Sequence, residues 1–104
     1  MTIYRVTGTA ATVSGKVSWN TLDIPGGMLR QIVIEPTTST NIYDFQMVND
    51  NSFTVVPTQE HNTTALEGKV NICKLDVPVA GIYTMTLTNA TVDETFSYFI
   101  TVEE

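Results

Sequence analysis

More than a third of this chain's 104 residues branch at Cβ: eighteen threonines, twelve valines and eight isoleucines, against only five alanines and five leucines. Branched side chains lose rotamer freedom on a helix and pack well on a pleated surface, and threonine suits a strand face that meets water. The composition therefore specifies sheet. Nowhere do apolar residues recur at spacings of three and four over a useful length, so no helix longer than a turn is expected.

A chain of this length forms one domain, residues 1–104, able to bury roughly 60 to 70 per cent of its extended-chain surface without staples. Its formal charge is −6, and the five cations, Arg5, Lys16, Arg30, Lys69 and Lys74, are scattered. With no basic stripe to displace counterions from phosphates, nucleic acid is not an expected partner. Nor is a membrane, because an acidic surface discourages adhesion to anionic lipid and no stretch approaches bilayer-spanning length. The first residues, Met1-Thr2-Ile3-Tyr4-Arg5-Val6, lack the charged and then apolar regions of a secretory signal, so synthesis in the cytoplasm is expected. The acceptor patterns Asn62-Thr63-Thr64 and Asn89-Ala90-Thr91 then read as Thr-rich loops that contain Asn. Cys73 is the only cysteine, which excludes an intrachain disulfide. Alternation puts it beside Leu75 and Val77, as a buried structural thiol.

Short strand signals separated by turn residues follow one another at the intervals of an all-β sandwich. Thr2 to Gly8 and Ala11 to Trp19 read as an opening pair, with Gly8 and Gly15 as kinks or bulges. Pro25-Gly26-Gly27 reads as punctuation before a strand from Leu29 to Glu35, which Pro36 closes. Asn41 to Val48 follows, and Asn49-Asp50-Asn51-Ser52 turns it into a return strand, Phe53 to Val56. Thr58 to Ala65 is polar and aperiodic, the longest exposed loop. Val70 to Val77 is the next strand, Pro78 to Gly81 a corner, and Ile82 to Asn89 a strand with Tyr83, Met85 and Leu87 on one face and Thr84, Thr86 and Thr88 on the other. Thr95 to Val102 closes the set. The expected architecture is an antiparallel β-sandwich of seven to eight strands, immunoglobulin-like or jelly-roll-like.

Catalytic chemistry is sparse. The one histidine, His61, lies in the polar loop beside Glu60, without the oriented setting a general base needs, so no enzyme is expected. Zinc lacks ligands, since Cys73 and His61 fall in different kinds of segment. Oxygen ligands for calcium are more plentiful at Asp44, Asn49, Asp50 and Asn51 and at Asp93-Glu94, but Asn-Asp-Asn is ordinary hairpin chemistry. No metal or other cofactor is expected, and Glu103-Glu104 reads as a solvated end. Of the nine aromatics, Tyr4, Trp19, Tyr43, Phe45, Phe53, Tyr83, Phe96, Tyr98 and Phe99, most alternate in phase with other apolar residues and belong to the core. Phe99 is out of phase with Phe96, Tyr98, Ile100 and Val102, so either both faces of that strand are covered or the ring is exposed. Phe99, Trp19 beside polar Asn20-Thr21, and His61 in its loop are the candidate interface residues.

Two resemblances bear on these readings. Ala80-Gly81-Ile82-Tyr83-Thr84-Met85 resembles the entry to the sixth strand of immunoglobulin-like domains, which implies that the Tyr83 hydroxyl bonds backbone upstream and that Met85 points inward. The stretches Arg30 to Thr40, leading into Tyr43-Asp44-Phe45, and Gly81 to Phe96 resemble small accessory virion proteins of tailed bacteriophages. That resemblance implies a structural virion protein, a capsid decoration or cement protein, which coats a capsid or tail in many copies as a trimer or dimer and contacts the major capsid protein or another virion protein. Its location would then be the virion. The competing expectation is a binding module that recognises a carbohydrate or receptor through the loops Thr58 to Ala65 and Thr37 to Asn41. The arm from Met1 to Gly8 is expected to be the first strand of its own sandwich, with addition to a neighbour's sheet edge as the alternative.

Overall fold

The branched, alternating segments form nine antiparallel strands in a computed structural model that describes residues 2–21, 23–49, 51, 54–55 and 63–104. They are β1 (Ile3–Ala11), β2 (Val17–Asn20), β3 (Ile24–Pro36), β4 (Ile42–Val48), β5 (Leu66–Glu67), β6 (Val70–Ile72), β7 (Val77–Gly81), β8 (Thr84–Thr88) and β9 (Thr95–Glu103). One sheet runs β1-β9-β3, with β6 and β7 end to end along the other side of β3; the second runs β2-β8-β4-β5. Period-two alternation buries one face of each sheet against the other. Between them lie Leu29, Ile32 and Ile34 of β3, Tyr43, Phe45 and Met47 of β4, Met85 and Leu87 of β8, and Phe96, Ile100 and Val102 of β9. Tyr43 meets Phe96 edge to face, with ring centroids 5.0 Å apart.

The pairings are nested. β1 pairs with β9, β2 with β8, β3 with β7 and β6, and β4 with β5. A chain doubled back on itself in this way and then rolled into two sheets is a jelly roll. An immunoglobulin-like sandwich instead sets its first two strands side by side. Here β1 and β2 lie in different sheets, which corrects the expected opening pair. The local corner feature survives in this other topology: the Tyr83 hydroxyl accepts the Ala80 N–H at 2.8 Å, and Met85 is fully buried.

Three further boundaries differ from the sequence reading, each for a local reason. Pro25-Gly26-Gly27 does not interrupt β3, which runs through it with a register shift between Ile24 and Gly27. Pairing of β3 with β9 begins only at Met28, so this stretch has one unpaired side and tolerates proline. The segment read as one strand from Val70 to Val77 is two, because Lys74 takes a left-handed conformation (φ 61°) and breaks the alternation. That break turns Cys73 outward, so the thiol is exposed, not buried, while Leu75 is buried. Pro78 to Gly81, read as a corner, is strand β7.

After β4, the Asn51 N–H donates to Asn49 Oδ1 at 2.9 Å, the side-chain turn expected there. Thr54 then bridges back to Val48. Asp50, Ser52, Phe53, residues 56–60, His61 and Asn62 lie outside the described residues, and with them most of the loop Thr58 to Ala65.

Candidate functional site

Nested pairing brings the β1–β2, β3–β4, β5–β6 and β8–β9 connections to one end of the sandwich, and the polar side chains gather there. Asn41, just before β4, is fully buried. Its Nδ2 donates to the Val92 carbonyl and to a Glu94 carboxylate oxygen, both at 3.0 Å, while Oδ1 accepts from the Thr91 hydroxyl at 3.1 Å and the Val92 N–H at 3.2 Å. Glu94 also accepts from the Thr38 hydroxyl at 2.6 Å and the Thr38 N–H at 2.8 Å. Its own N–H donates to the Thr12 hydroxyl at 3.1 Å. Asp93 accepts the N–H groups of Ser14 and Gly15 at 3.0 and 2.8 Å, which stabilises a turn where Ser14 and Gly15 both have positive φ. Asp44, on the outer face of β4, accepts from the Ala65 N–H and the Asn89 side chain, each at 2.8 Å.

These bonds set the electrostatics. The Thr38 hydroxyl, with the Thr38 N–H and Asn41, holds the Glu94 carboxyl below its ordinary value, and the Ala65 N–H with Asn89 does the same for Asp44. Tyr43, whose hydroxyl donates to the Gly68 carbonyl at 2.7 Å, is pushed up by burial. A carboxyl with a depressed pKa contributes stability above its unfolded value and loses it as pH falls through the folded one. Thermal melts from pH 7 to pH 3 should therefore show the transition temperature dropping below the ordinary glutamate value of 4.5. Glu94→Gln, which keeps one acceptor oxygen but does not titrate, should flatten that drop; an unchanged pH profile would refute the assignment.

Among the oxygen groups read from the sequence, the side chains of Asp44, Asn49, Asp93 and Glu94 accept hydrogen bonds from the N–H groups of Ala65, Asn51, Ser14 and Thr38, and Asp50 lies outside the described residues. Beside this network an open cleft of about 540 Å³ lies over the joined β1–β2 and β8–β9 turns, lined by Ser14, Lys16, Asn89, Thr91 and Asp93. It is polar and shallow-walled, with Lys16 as its cation.

Trp19 faces inward from β2, half-buried, with its ring 4.9 Å from that of Tyr98 across the sandwich. Its indole N–H is buried with no acceptor among the described residues. Phe99 stands on the outer face of the first sheet opposite Val33 and Thr7, half-covered by the Arg5 guanidinium 5.4 Å above its ring. Val33 is only 4% exposed although it also faces outward, so Phe99 and Val33 form a small apolar island on that face. His61 lies outside the described residues. The sequence reading missed Asn41, Thr38 and Glu94 as a unit, because a buried Asn and an exposed loop Asn look alike until four turns are known to meet.

No family model matches the chain, and no curated protein matches its sequence. Among solved structures, a chain of the cyanophage Pam1 capsid asymmetric unit is 14% identical, with 96% of this chain and 81% of that one covered at a TM-score of 0.56. CBM32-3 from a family 31 glycoside hydrolase of Clostridium perfringens is 16% identical over 99% of this chain and 76% of that one, at 0.42. A chain of infectious bursal disease virus, Gx strain, is 10% identical over 97% and 33%, at 0.38. The Pam1 superposition establishes a shared sandwich fold; the other two are too loose to add to it.

Proposed function

We propose that the chain is a structural virion protein of a tailed phage, a capsid decoration or cement protein that acts through contacts with the major capsid protein or another virion protein, without catalysis. The observation that supports this reading is the likeness in fold, along nearly the whole chain, to a chain of the cyanophage Pam1 capsid unit. The polar chemistry is consistent with it: the acidic and amide side chains at the turn end brace the loops, leaving shape and subunit contact as the means of action. The test is co-sedimentation of the purified chain with capsids of the phage whose genome encodes it, stripped of this protein. Saturable binding in many copies per shell, with a raised capsid melting temperature, is the expected result. A chain that stays in the supernatant at every concentration would sink the reading.

The second reading, a carbohydrate-binding module, is favoured by the open polar cleft beside Lys16 and Asn89. Its loop Thr37 to Asn41 is tied down by Glu94 and Asn41, so recognition there would fall to the cleft. A glycan array separates the two, since a module would show saturable sugar binding that Lys16→Ala weakens.

A further inference from the structure

Strands at the edge of a sheet expose unpaired N–H and C=O groups, and soluble proteins blunt such edges with short strands, prolines and bulges. Three of the edges in this sandwich follow that rule. Among the described residues, β2 has four residues and β5 two, while the edge along β3 is divided between three-residue β6 and β7, which carries Pro78. β1 does not follow it. Nine residues long, it keeps unbroken register with β9 from Ile3↔Glu103 to Ala11↔Thr95 and contains no proline.

Backbone parity shows what that edge offers. The Glu104 N–H donates to the Thr2 carbonyl at 2.8 Å and the Thr12 N–H to the Glu94 carbonyl at 3.1 Å, so even-numbered residues turn their amides toward β9. The odd-numbered residues Ile3, Arg5, Thr7, Thr9 and Ala11 direct theirs to the open side, and all five are exposed. Beneath this edge the flank is apolar and half-covered. Val6 of β1, Val17 and Trp19 of β2 and Tyr98 of β9 are partly buried against the core, with the unpartnered indole N–H among them.

We infer that β1 is a self-association edge, pairing antiparallel with β1 of a second copy about a two-fold axis at Thr7. The strand is self-complementary in this register. Thr7 is its midpoint, so Ile3 meets Ala11, Arg5 meets Thr9 and Thr7 meets its own mate, leaving none of the five free residues without a partner and forming roughly ten main-chain bonds. Arg5 is the only charge on the strand. Its two copies fall four residues apart along the ladder, about 13 Å, beyond a screening length of about 8 Å at physiological salt. The contact is isologous and closes at two copies, joining two sheets into one and covering the Val6–Trp19 flank. This inference does not rest on the virion reading.

Light scattering behind a sizing column, over a concentration series, tests it with two variants. The wild-type chain, 11.4 kDa as a monomer, should run at twice that mass. Thr7→Pro should run as a monomer with an unchanged circular dichroism spectrum, because the lost N–H faces away from β9 and proline is tolerated on an edge. Should that variant fail to fold, Thr7→Lys takes its place, since it sets two ammonium groups against each other at the axis and should also give a monomer. A wild-type chain that stays monomeric to millimolar concentration would overturn the inference and leave the edge to a strand from a different chain. A trimer, or a dimer that survives both substitutions, would overturn it equally. Capsid binding is measured separately, so its absence would leave this result unaffected.

Discussion

Asn41→Leu should lower the thermal transition by roughly 12–20 °C, corresponding to a loss of about 3 kcal/mol in a domain of this size. Leucine keeps the branched four-atom skeleton of the side chain, so the change removes the polar contacts of a fully buried residue and adds the bulk of two methyl groups. Asn41 satisfies the Val92 carbonyl, the Val92 N–H, the Thr91 hydroxyl and one Glu94 oxygen. All four lose a partner at once. Val92 and Thr91 are exposed enough to recover water, which sets the upper bound, whereas the Glu94 oxygen keeps only Thr38. Scanning calorimetry of the purified variant is the measurement. A shift below about 4 °C, near 1 kcal/mol or less, would mean that the four turns hold together without this residue.

The second large effect is expected at Gly68→Ala, about 3 kcal/mol, from two causes that add. Gly68 has φ +62°, where a side chain costs about 1–2 kcal/mol. A Cβ there would also overlap the backbone carbonyl oxygen of Ser39, which lies in the turn that Glu94 and Asn41 hold in place and cannot swing aside. The Gly68 N–H donates to the Asn41 carbonyl at 2.9 Å, and its own carbonyl accepts from Tyr43, so any shift of the glycine disturbs the same network. Urea denaturation should show the midpoint falling with the slope unchanged. Gly26→Ala is the control, because a Cβ at Gly26 meets nothing within 4 Å and its φ is not in the left-handed region. Equal effects at the two glycines would refute the clash.

Where alternation ran without a break, the sequence reading matched the structure. Tyr83, Met85 and Leu87 are buried and their threonine neighbours half-exposed, and Phe96, Ile100 and Val102 are buried on β9. Period two assigns a face, but it does not assign a partner. Thr2 to Gly8 and Ala11 to Trp19 carry equally good strand patterns whether they pair with each other or, as here, with strands more than sixty residues away. Cys73 shows a second limit. One left-handed residue, Lys74, shifts the phase of everything before it, and lysine gives no sign of that conformation. Phe99 posed a choice that the pattern could frame but not settle, because the cover over its ring comes from Arg5 on another strand. The turn network was invisible for the same reason as the pairings. Asn41, Thr38 and Glu94 become one unit only when segments more than fifty residues apart converge.

The place of β9 in its sheet also constrains how the molecule is made. It pairs with β1 on one side and β3 on the other, so the strand synthesised last of the nine lies between two synthesised early. During translation the first sheet cannot close, and β1 and β3 wait with a gap between them until β9 arrives to fill it. Long-range closure of this kind is slow, in the range of milliseconds to seconds for all-β domains. Until then both flanking strands present open edges to other nascent chains, so crowding on a polysome at high expression favours a neighbour's β9 in the gap, and exchange of that strand is the misassembly to look for in refolding and expression.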